Sequence, residues 1–208
     1  MDSNRSFEVY GIVPASGFSR RMGRQKLLLS WKNKPLLEHV LRTANNSSLN
    51  GVLTVIPADD EERKKLALQT NSKVIYNKNP EKGIGFSLAL GMMHIPKTAD
   101  AVMIFLGDQP ELKQDDIQIV LNRFNEIYSE SNDQSKIIVQ THYINGKIGH
   151  PILFSKPFFS ELSLLDGDQG GNHIIHSNIQ YLTRVNSIYR YPPDIDTIKD
   201  YDCLLNRQ

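Results

Sequence analysis

Residues 14–26 have the composition of an anion-binding loop. They follow a hydrophobic strand candidate and combine two glycines, several small residues and four basic side chains. Small residues let backbone N–H groups approach phosphate oxygens, and Arg21 and Lys26 can neutralise the charge of a triphosphate. The P-loop pattern is absent, because Gly23 is followed by Arg24 where that pattern requires lysine. The segment therefore predicts a triphosphate site, and the alternative is a solvated basic loop.

Asp108 has the position expected of a metal ligand for such a triphosphate. It follows a run of apolar residues and lies in a Gly-Asp-Gln-Pro sequence. Mg²⁺ is commonly held by one or two carboxylates together with phosphate oxygens. A second carboxylate is available from Asp194 or Asp196 in an Asp-Ile-Asp-Thr sequence. The alternatives are a turn aspartate at Asp108 and a helix N-cap at the later motif.

A glycine-rich segment at residues 83–91 is a candidate nucleoside pocket. Gly85 would permit close approach of a ligand, and Ser87 could hydrogen-bond a base or ribose. The dinucleotide fingerprint fails here, since Leu88 stands where the third glycine belongs. A glycine-rich turn that opens a helix is the alternative interpretation.

Three further features of the sequence are weaker indications of a functional site. His173 and His176 have i, i+3 spacing, but no third zinc ligand is evident near them in the sequence. Residues 166–171 resemble part of a calcium loop without its final glutamate, and their glycines suit a loop that lies against a phosphorylated substrate. Cys203 lies in an apolar helical segment and is expected to be buried rather than nucleophilic.

The elements that must position these residues alternate between strand and helix. Apolar runs on consecutive positions predict strands buried on both faces, and amphipathic segments with acidic first turns predict the helices between them. Asn145-Gly146 predicts an antiparallel hairpin in the C-terminal half. The expected fold is a single α/β domain over residues 1–208, with three layers and a mostly parallel sheet that carries helices on both faces. The strand candidates are residues 9–13, 52–56, 73–76, 101–106, 137–142 and 179–185.

The amino-acid composition limits the kinds of molecule that the protein is expected to bind. The chain has 24 basic and 23 acidic residues, so its formal net charge is +1. This balance gives no bulk electrostatic case for nucleic-acid or membrane binding. A lone cysteine suits a reducing compartment, and the polar N-terminus offers no signal peptide. We expect a cytoplasmic protein whose site for an anion is local.

Taken in order, these motifs resemble the family of molybdenum cofactor nucleotidyltransferases, and most closely its cytidylyltransferase branch. The family's L-A-A-G-x-S-x-R-M-G-x-x-K-L motif is similar to residues 14–27, and its G-D-x-P is similar to residues 107–110. The remaining motifs resemble residues 83–91, 149–154, 165–172 and 194–200. The resemblance covers about residues 9 to 205, and the motifs are specific in combination rather than singly.

The resemblance implies transfer of CMP from CTP to the phosphate of a molybdopterin cofactor, with release of pyrophosphate. Arg21 and Lys26 would balance the triphosphate as catalytic residues together with Asp108. Asp108 and Asp196 would hold Mg²⁺. A receiving molybdoenzyme or its maturation chaperone would be a further partner. Implied nucleotide contacts are Ala15, Ser16, Gly17, Ser19, Gly23, Lys26, Gly83 and Ser87, and implied contacts to the pterin are His150, Asp168 and Gly170.

Departures from the family pattern leave alternatives open. Pro14 and Ser16 replace an aliphatic residue and an alanine where the family senses the base, so GTP is an alternative to CTP. Asn172 occupies the position of an arginine that could anchor phosphate or pterin, and Asn33 replaces a turn glycine. A sugar or polyol phosphate is an alternative acceptor. A catalytically silent nucleotide-binding or cofactor-binding chaperone is the alternative from another class.

Overall fold

The computed structural model describes residues 7–17, 22–23, 25–130 and 135–207. Seven strands form one sheet in the order β5-β4-β1-β6-β8-β7-β9, and two very short strands, β2 and β3, form a separate hairpin. The strands are β1 (Val9–Pro14), β2 (Ser30–Trp31), β3 (Lys34–Pro35), β4 (Gly51–Pro57), β5 (Lys73–Asn77), β6 (Ala101–Ile104), β7 (Ile138–His142), β8 (Ile148–Ser155) and β9 (Leu182–Asn186). The helices are α1 (Leu36–Asn45), α2 (Glu61–Gln69), α3 (Gly83–Met92), α4 (Gln114–Ser129), α5 (Phe159–Ser163), α6 (Asn172–Ser177) and α7 (Ile198–Leu205).

The sheet is mostly parallel, as the strand–helix alternation predicts. β5, β4, β1 and β6 run parallel to one another. β8 is antiparallel to both β6 and β7, and β9 runs parallel to β7. The predicted hairpin at Asn145-Gly146 is confirmed, and Gly146 has the positive φ of 75° that favours glycine in a tight turn.

Two of the predicted strand boundaries are wrong. The segment predicted as a strand from residue 179 begins as a 3₁₀ turn at Ile179–Tyr181, and β9 starts only at Leu182. The turn is closed by a hydrogen bond from Tyr181 N to Asn178 O, a local bond that competes with sheet pairing. β6 ends at Ile104, two residues before the predicted end, although Phe105 N still donates to Ile12 O.

The core lies on both faces of the sheet. Side chains of β6 alternate between the two apolar clusters, with Met103 on the face covered by α1 and α4 and Val102 on the face covered by α3, α5 and α6. Both residues are fully buried, which confirms the prediction of a strand covered on two sides. This arrangement leaves the carboxyl ends of β1, β4, β5 and β6 at one edge, where ligands bind in sheets of this type.

A third, smaller apolar cluster packs residues 195–204 against residues 22–36. Ile195 is fully buried against Trp31 and Leu36, and Leu204 of α7 joins them. The β2–β3 hairpin that carries Trp31 turns through two left-handed residues, so Asn33 serves where glycine is more usual. The cluster thereby brings the Asp-Ile-Asp-Thr segment back to the start of the chain.

The prediction of a buried Cys203 is wrong. Cys203 is exposed on α7, because this helix directs Leu204 into the third cluster and the neighbouring residue then faces away. Among the described residues no helix has both the length and the apolar character that a membrane span requires.

Candidate functional site

A cavity of about 600 Å³ opens at the carboxyl edge of the sheet. Its walls come from the end of β1, the start of α3, the Gly-Asp-Gln-Pro segment after β6 and the segment before α7. The residues that line it are Pro14, Ser16, Gly17, Lys26, Leu27, Pro80, Glu81, Gly83, Ile84, Ser87, Leu106, Gly107, Asp108, Asp168, Asp194 and Asp196. Four sequence segments predicted separately to carry chemistry therefore meet in one cavity.

Lys26 connects the two carboxylates that were predicted to hold a metal. Its Nζ lies 2.6 Å from Oδ2 of Asp108 and 2.7 Å from Oδ1 of Asp196. Burial alone would lower the pKa of Lys26, but the two aspartates outweigh it and the pKa is raised. The ammonium therefore stays charged at neutral pH. A cationic group here is a charge-assisted donor to either acid.

Asp108 and Asp196 fit a hard divalent cation such as Mg²⁺ or Mn²⁺. Both carboxylates already converge on a single positive charge, and carboxylate oxygens are the ligands these ions prefer. The described residues contain no group of three or more histidine, cysteine, aspartate or glutamate side chains arranged to hold a metal. The rest of a coordination shell would have to come from phosphate oxygens and water, as Mg²⁺ sites on nucleotides commonly arrange.

A third carboxylate, Asp194, lines the same cavity. It accepts hydrogen bonds from Nε2 of Gln109 at 2.8 Å and from Oη of Tyr191 at 3.1 Å. Burial, and then repulsion from Asp108, raise its pKa. The sequence offered Asp194 as one of two alternating acids, but nothing in the spacing placed Tyr191 beside it.

Thr197 accounts for the capping interpretation of the Asp-Ile-Asp-Thr motif. It caps α7 in a capping box, accepting from Asp200 N, while the Asp200 side chain accepts from Thr197 N. The capping function thus belongs to Thr197, and Asp196 faces Lys26. The N-cap interpretation is confirmed at Thr197, and the metal-ligand interpretation of Asp196 stays a prediction.

Ser16 and Ser87 are buried polar residues that line the cavity. Their hydroxyl oxygens lie 2.6 Å apart, and Nδ2 of Asn77 donates to both, at 3.1 Å and 3.2 Å. All three residues are buried. Asn77 was missed by the sequence reasoning, although a polar residue that ends a buried strand at the ligand edge is a usable signal.

Ala15 presents no side chain to the cavity. Its methyl group packs in the apolar core, and its N–H donates to Val55 O within the sheet edge. Gly17, in contrast, lines the cavity, and Gly23 is described with a φ of +60° but lies outside the lining. Arg21 and Ser19, predicted for catalysis and nucleotide binding, lie outside the described residues.

Gly83 and Gly85 make room for a second loop. Gly85 N donates to Gly167 O at 2.8 Å, and a Cβ at Gly85 would lie 2.6 Å from the carbonyl oxygen of Asp166. Gly83 has φ of 87° and ψ of −177°, a conformation essentially restricted to glycine. The loop held this way contributes Asp168 to the cavity wall, whereas Gly170 does not line it.

His150 does not line the cavity, contrary to the expectation that it faces a substrate. It precedes a cis bond to Pro151, and its carbonyl accepts a hydrogen bond from the Tyr143 hydroxyl. Burial lowers its pKa to about 4, so the imidazole is neutral at pH 7. The predicted pair His173 and His176 is exposed, and Nδ1 of His173 contacts Gly170 O rather than a metal site.

Comparison with known proteins gives relatives over most of the chain. The purine catabolism protein PucB of Bacillus subtilis is 28% identical over 181 residues, which are 83% of this chain and 83% of that protein. The molybdenum cofactor cytidylyltransferase of Escherichia coli is 29% identical over 146 residues, 70% of this chain and 69% of its own length. A probable molybdenum cofactor guanylyltransferase of Bacillus cereus is 32% identical over 120 residues, 57% of this chain and 58% of its own length.

The fold is also found among solved structures. The crystal structure of Rv0371c from Mycobacterium tuberculosis superimposes with a TM-score of 0.76 and 25% identity, covering 98% of this chain and all of that one. The family model for the MobA-like NTP transferase domain matches residues 11–184, which contain the glycine loop, Lys26, Ser87 and Asp108. The chain therefore belongs to the family of MobA-like NTP transferase domains.

Proposed function

We propose that this protein is a Mg²⁺-dependent nucleotidyltransferase that transfers CMP from CTP to the phosphate of a molybdopterin-type cofactor and releases pyrophosphate. The observation that carries the proposal is the contact of Lys26 with Asp108 and Asp196. This contact lies in the same cavity as the hydrogen-bonded pair Ser16 and Ser87. This places a cation, a carboxylate pair and buried hydrogen-bonding groups around one cavity. The cytidylyltransferase relative and the family membership support the same reaction.

In this reaction the acceptor phosphate attacks the α-phosphorus in line and pyrophosphate departs. The protein's task is to position the two reactants and to spread their negative charge. Lys26 would balance charge on the triphosphate, with Arg21, which lies outside the described residues, as a second cation. Asp108 and Asp196 would hold a divalent cation, which would supply positive charge against the repulsion between two anionic reactants.

The buried Ser16, Asn77 and Ser87 would bind the nucleoside. Hydroxyl and amide groups can donate to or accept from a base edge, so the network suits recognition by hydrogen bonding rather than by size alone. GTP is the second candidate nucleotide, because relatives named for either nucleotide match this chain. Asp168, which lines the cavity, would contact the acceptor.

The experiment that tests the proposal is a screen of nucleotides against acceptors. The full chain is incubated with CTP, GTP, ATP or UTP and Mg²⁺, with molybdopterin, a sugar phosphate or a polyol phosphate, and pyrophosphate release is followed. Release that requires CTP and molybdopterin is the expected result. Release with GTP would transfer the proposal to guanylyl transfer, and release with a sugar phosphate would overturn the acceptor.

Asp108→Asn provides the mechanistic control for this screen. It removes a metal-binding charge while keeping the side-chain shape, and we expect pyrophosphate release to fall by about 10²-fold or more, the scale of losing one preorganised electrostatic group. Asp202→Asn changes an exposed aspartate on α7 and should retain the parent rate. Nucleotide binding without any release in the parent would instead support the chaperone class. A cytoplasmic location and a receiving molybdoenzyme or its chaperone complete the proposal.

A further inference from the structure

Gln109 ties the two halves of the proposed metal site together. It follows Asp108 directly, and it is 1% exposed. Its side-chain amide donates to Tyr191 Oη at 3.0 Å, to Pro192 O at 3.2 Å and to Asp194 Oδ1 at 2.8 Å. One buried side chain next to the first metal carboxylate thus holds the segment that carries the second.

The segment it holds has no regular secondary structure of its own. β9 ends at Asn186 and α7 begins at Ile198, so Asp196 lies on an irregular connection. Besides Gln109, the burial of Ile195 and a backbone hydrogen bond from Ile195 N to Asp108 O at 3.2 Å hold the connection near the site. Asp196 itself donates its N–H to Asp200 Oδ2 at 3.2 Å and accepts from Lys26. The Asp196 side chain remains 46% exposed, so its position depends on how its neighbours are held.

Tyr191 completes the attachment. Its hydroxyl lies 3.0 Å from Nε2 of Gln109 and 3.1 Å from Oδ2 of Asp194. The ring packs edge-on against Tyr143, with centroids 5.3 Å apart and planes at 90°. It also lies against Gly149, where any Cβ would overlap the ring. The hydroxyl is therefore presented by a ring that packing holds in place.

We propose that Gln109 is a positioning residue that sets Asp196 opposite Asp108 for divalent-cation binding, with Tyr191 as its partner. The inference rests on the proposed metal-dependent function and deepens it. Groups that orient metal ligands from behind commonly change metal affinity by 10-fold to 100-fold when they are removed. Neither Gln109 nor Tyr191 touches the cation in this assignment.

The test compares Gln109→Leu and Tyr191→Phe with Gln140→Leu in the full chain. Gln140 is another buried glutamine, placed in β7, and its Oε1 has no hydrogen-bond partner in the described part of the chain, so its replacement controls for loss of a buried amide. Mn²⁺ affinity is measured by electron paramagnetic resonance at fixed CTP without acceptor, so that no turnover is involved. CTP affinity without metal and the melting temperature are measured in parallel.

We expect both Gln109→Leu and Tyr191→Phe to weaken Mn²⁺ binding about 10-fold or more, with CTP affinity in the absence of metal unchanged. Gln140→Leu should leave Mn²⁺ binding at the parent value whatever it does to the melting temperature. Parental Mn²⁺ affinity in Gln109→Leu overturns the inference, as does an equal loss in Gln140→Leu. If Gln109→Leu fails to fold, Tyr191→Phe decides, because it removes a single hydroxyl.

Failure of the inference is distinguishable from failure of the proposed function. A parent protein that releases pyrophosphate from CTP while Gln109→Leu binds Mn²⁺ normally overturns the positioning role alone. A parent protein that neither binds Mn²⁺ nor releases pyrophosphate from any nucleotide overturns both.

Discussion

Lys26 is the residue on which the electrostatics of the site depend. Its ammonium and its Asp108 partner are both mostly withdrawn from solvent, at 17% and 15% side-chain exposure. Charges screened this little by water interact more strongly than surface pairs do. Removing the cation would leave two carboxylates facing each other, and nothing else among the described contacts of Asp196 supplies a positive charge.

Lys26→Met is expected to slow nucleotide transfer and to weaken CTP binding. Under the proposed mechanism the charge that would balance the triphosphate is lost, and transition-state stabilisation of this kind is worth about 10²-fold to 10³-fold in rate. Steady-state pyrophosphate release and calorimetric CTP titration measure the two effects. Lys65→Met, an exposed lysine on α2, serves as the control and should behave as the parent does. Transfer by Lys26→Met within threefold of the parent would contradict this role.

The lowered pKa of His150 predicts that the protein loses stability when the pH falls. Its pKa is about 4 in the folded protein against an ordinary value of 6.5, because burial disfavours the imidazolium. Between these values the unfolded chain binds more protons, so stability falls as the pH drops from about 6.5 towards 4. His150→Gln should lose less unfolding free energy over this range than the parent, measured by urea denaturation at several pH values.

The control for this measurement is His176→Gln, which changes an exposed histidine on α6. It should follow the parent's pH dependence. Identical profiles for His150→Gln and the parent would show that acid loss arises from other groups.

At the scale of elements, the contact between the start of α3 and the loop at residues 166–171 depends on glycine. Gly83 adopts a backbone conformation that side chains disfavour, and a Cβ there would also overlap Gly167. The loop supplies Asp168 to the cavity wall. Close approach of two backbones is therefore the condition for this wall to exist.

Gly83→Ala is expected to destabilise the protein by about 1–3 kcal/mol, the range for a residue held in such a conformation. A melting temperature lowered by about 2–4 °C per kcal/mol would report it. Gly170→Ala is the matched control, since a Cβ there meets nothing within 4 Å and its φ is not positive. Equal melting temperatures for Gly83→Ala and Gly170→Ala would contradict the strain argument.

The cap of α7 gives a second prediction at this scale. Thr197→Ala removes one side of the capping box, and loss of such a cap costs about 1 kcal/mol. The melting temperature should fall by about 2–4 °C. Thr98→Ala, which affects an exposed threonine that donates to Glu8, is the comparison. A cap variant with the parental melting temperature would show that tertiary contacts of Ile195 and Leu204 hold α7 unaided.

How much the sequence predicts differs between regular and irregular segments. The strands β1, β4, β5 and β6 follow from consecutive apolar residues, and the β7–β8 hairpin follows from Asn145-Gly146. The β2–β3 hairpin was not predicted, because two-residue strands carry too short a pattern. The resemblance implied Asp196 as a metal ligand together with Asp108, but the contact of Asp196 with Lys26 was not predicted. This contact depends on the burial of Ile195 in the third cluster, which no local pattern encodes.

At the scale of the whole molecule, a net charge close to zero coexists with a cluster of charged side chains at one edge of the sheet. The total of +1 argues against polyanion binding over the surface at large. The carboxyl edge of the sheet nevertheless gathers Lys26, Asp108, Asp194 and Asp196 in one cavity. Composition cannot reveal such a site, because opposite charges cancel in the sum.

Nucleotide and metal together should stabilise the whole fold. At a concentration 100 times the dissociation constant, a ligand that binds only the folded state adds about 2.7 kcal/mol. This corresponds to a rise in melting temperature of about 5–10 °C. Differential scanning fluorimetry with CTP and Mg²⁺ measures it, and EDTA should reverse most of the rise. A shift with CTP that EDTA leaves intact would contradict metal-coupled binding.

The ion pair between Lys26 and Asp196 has a consequence for the synthesis of the chain on the ribosome. Synthesis proceeds from the N-terminus, so the lysine and Asp108 are made well before the second carboxylate exists. A chain that stops short of residue 196 lacks one of the two acids to which this lysine is bonded in the folded protein. The charges of the cavity are therefore assembled only after residue 196 has been added to the chain.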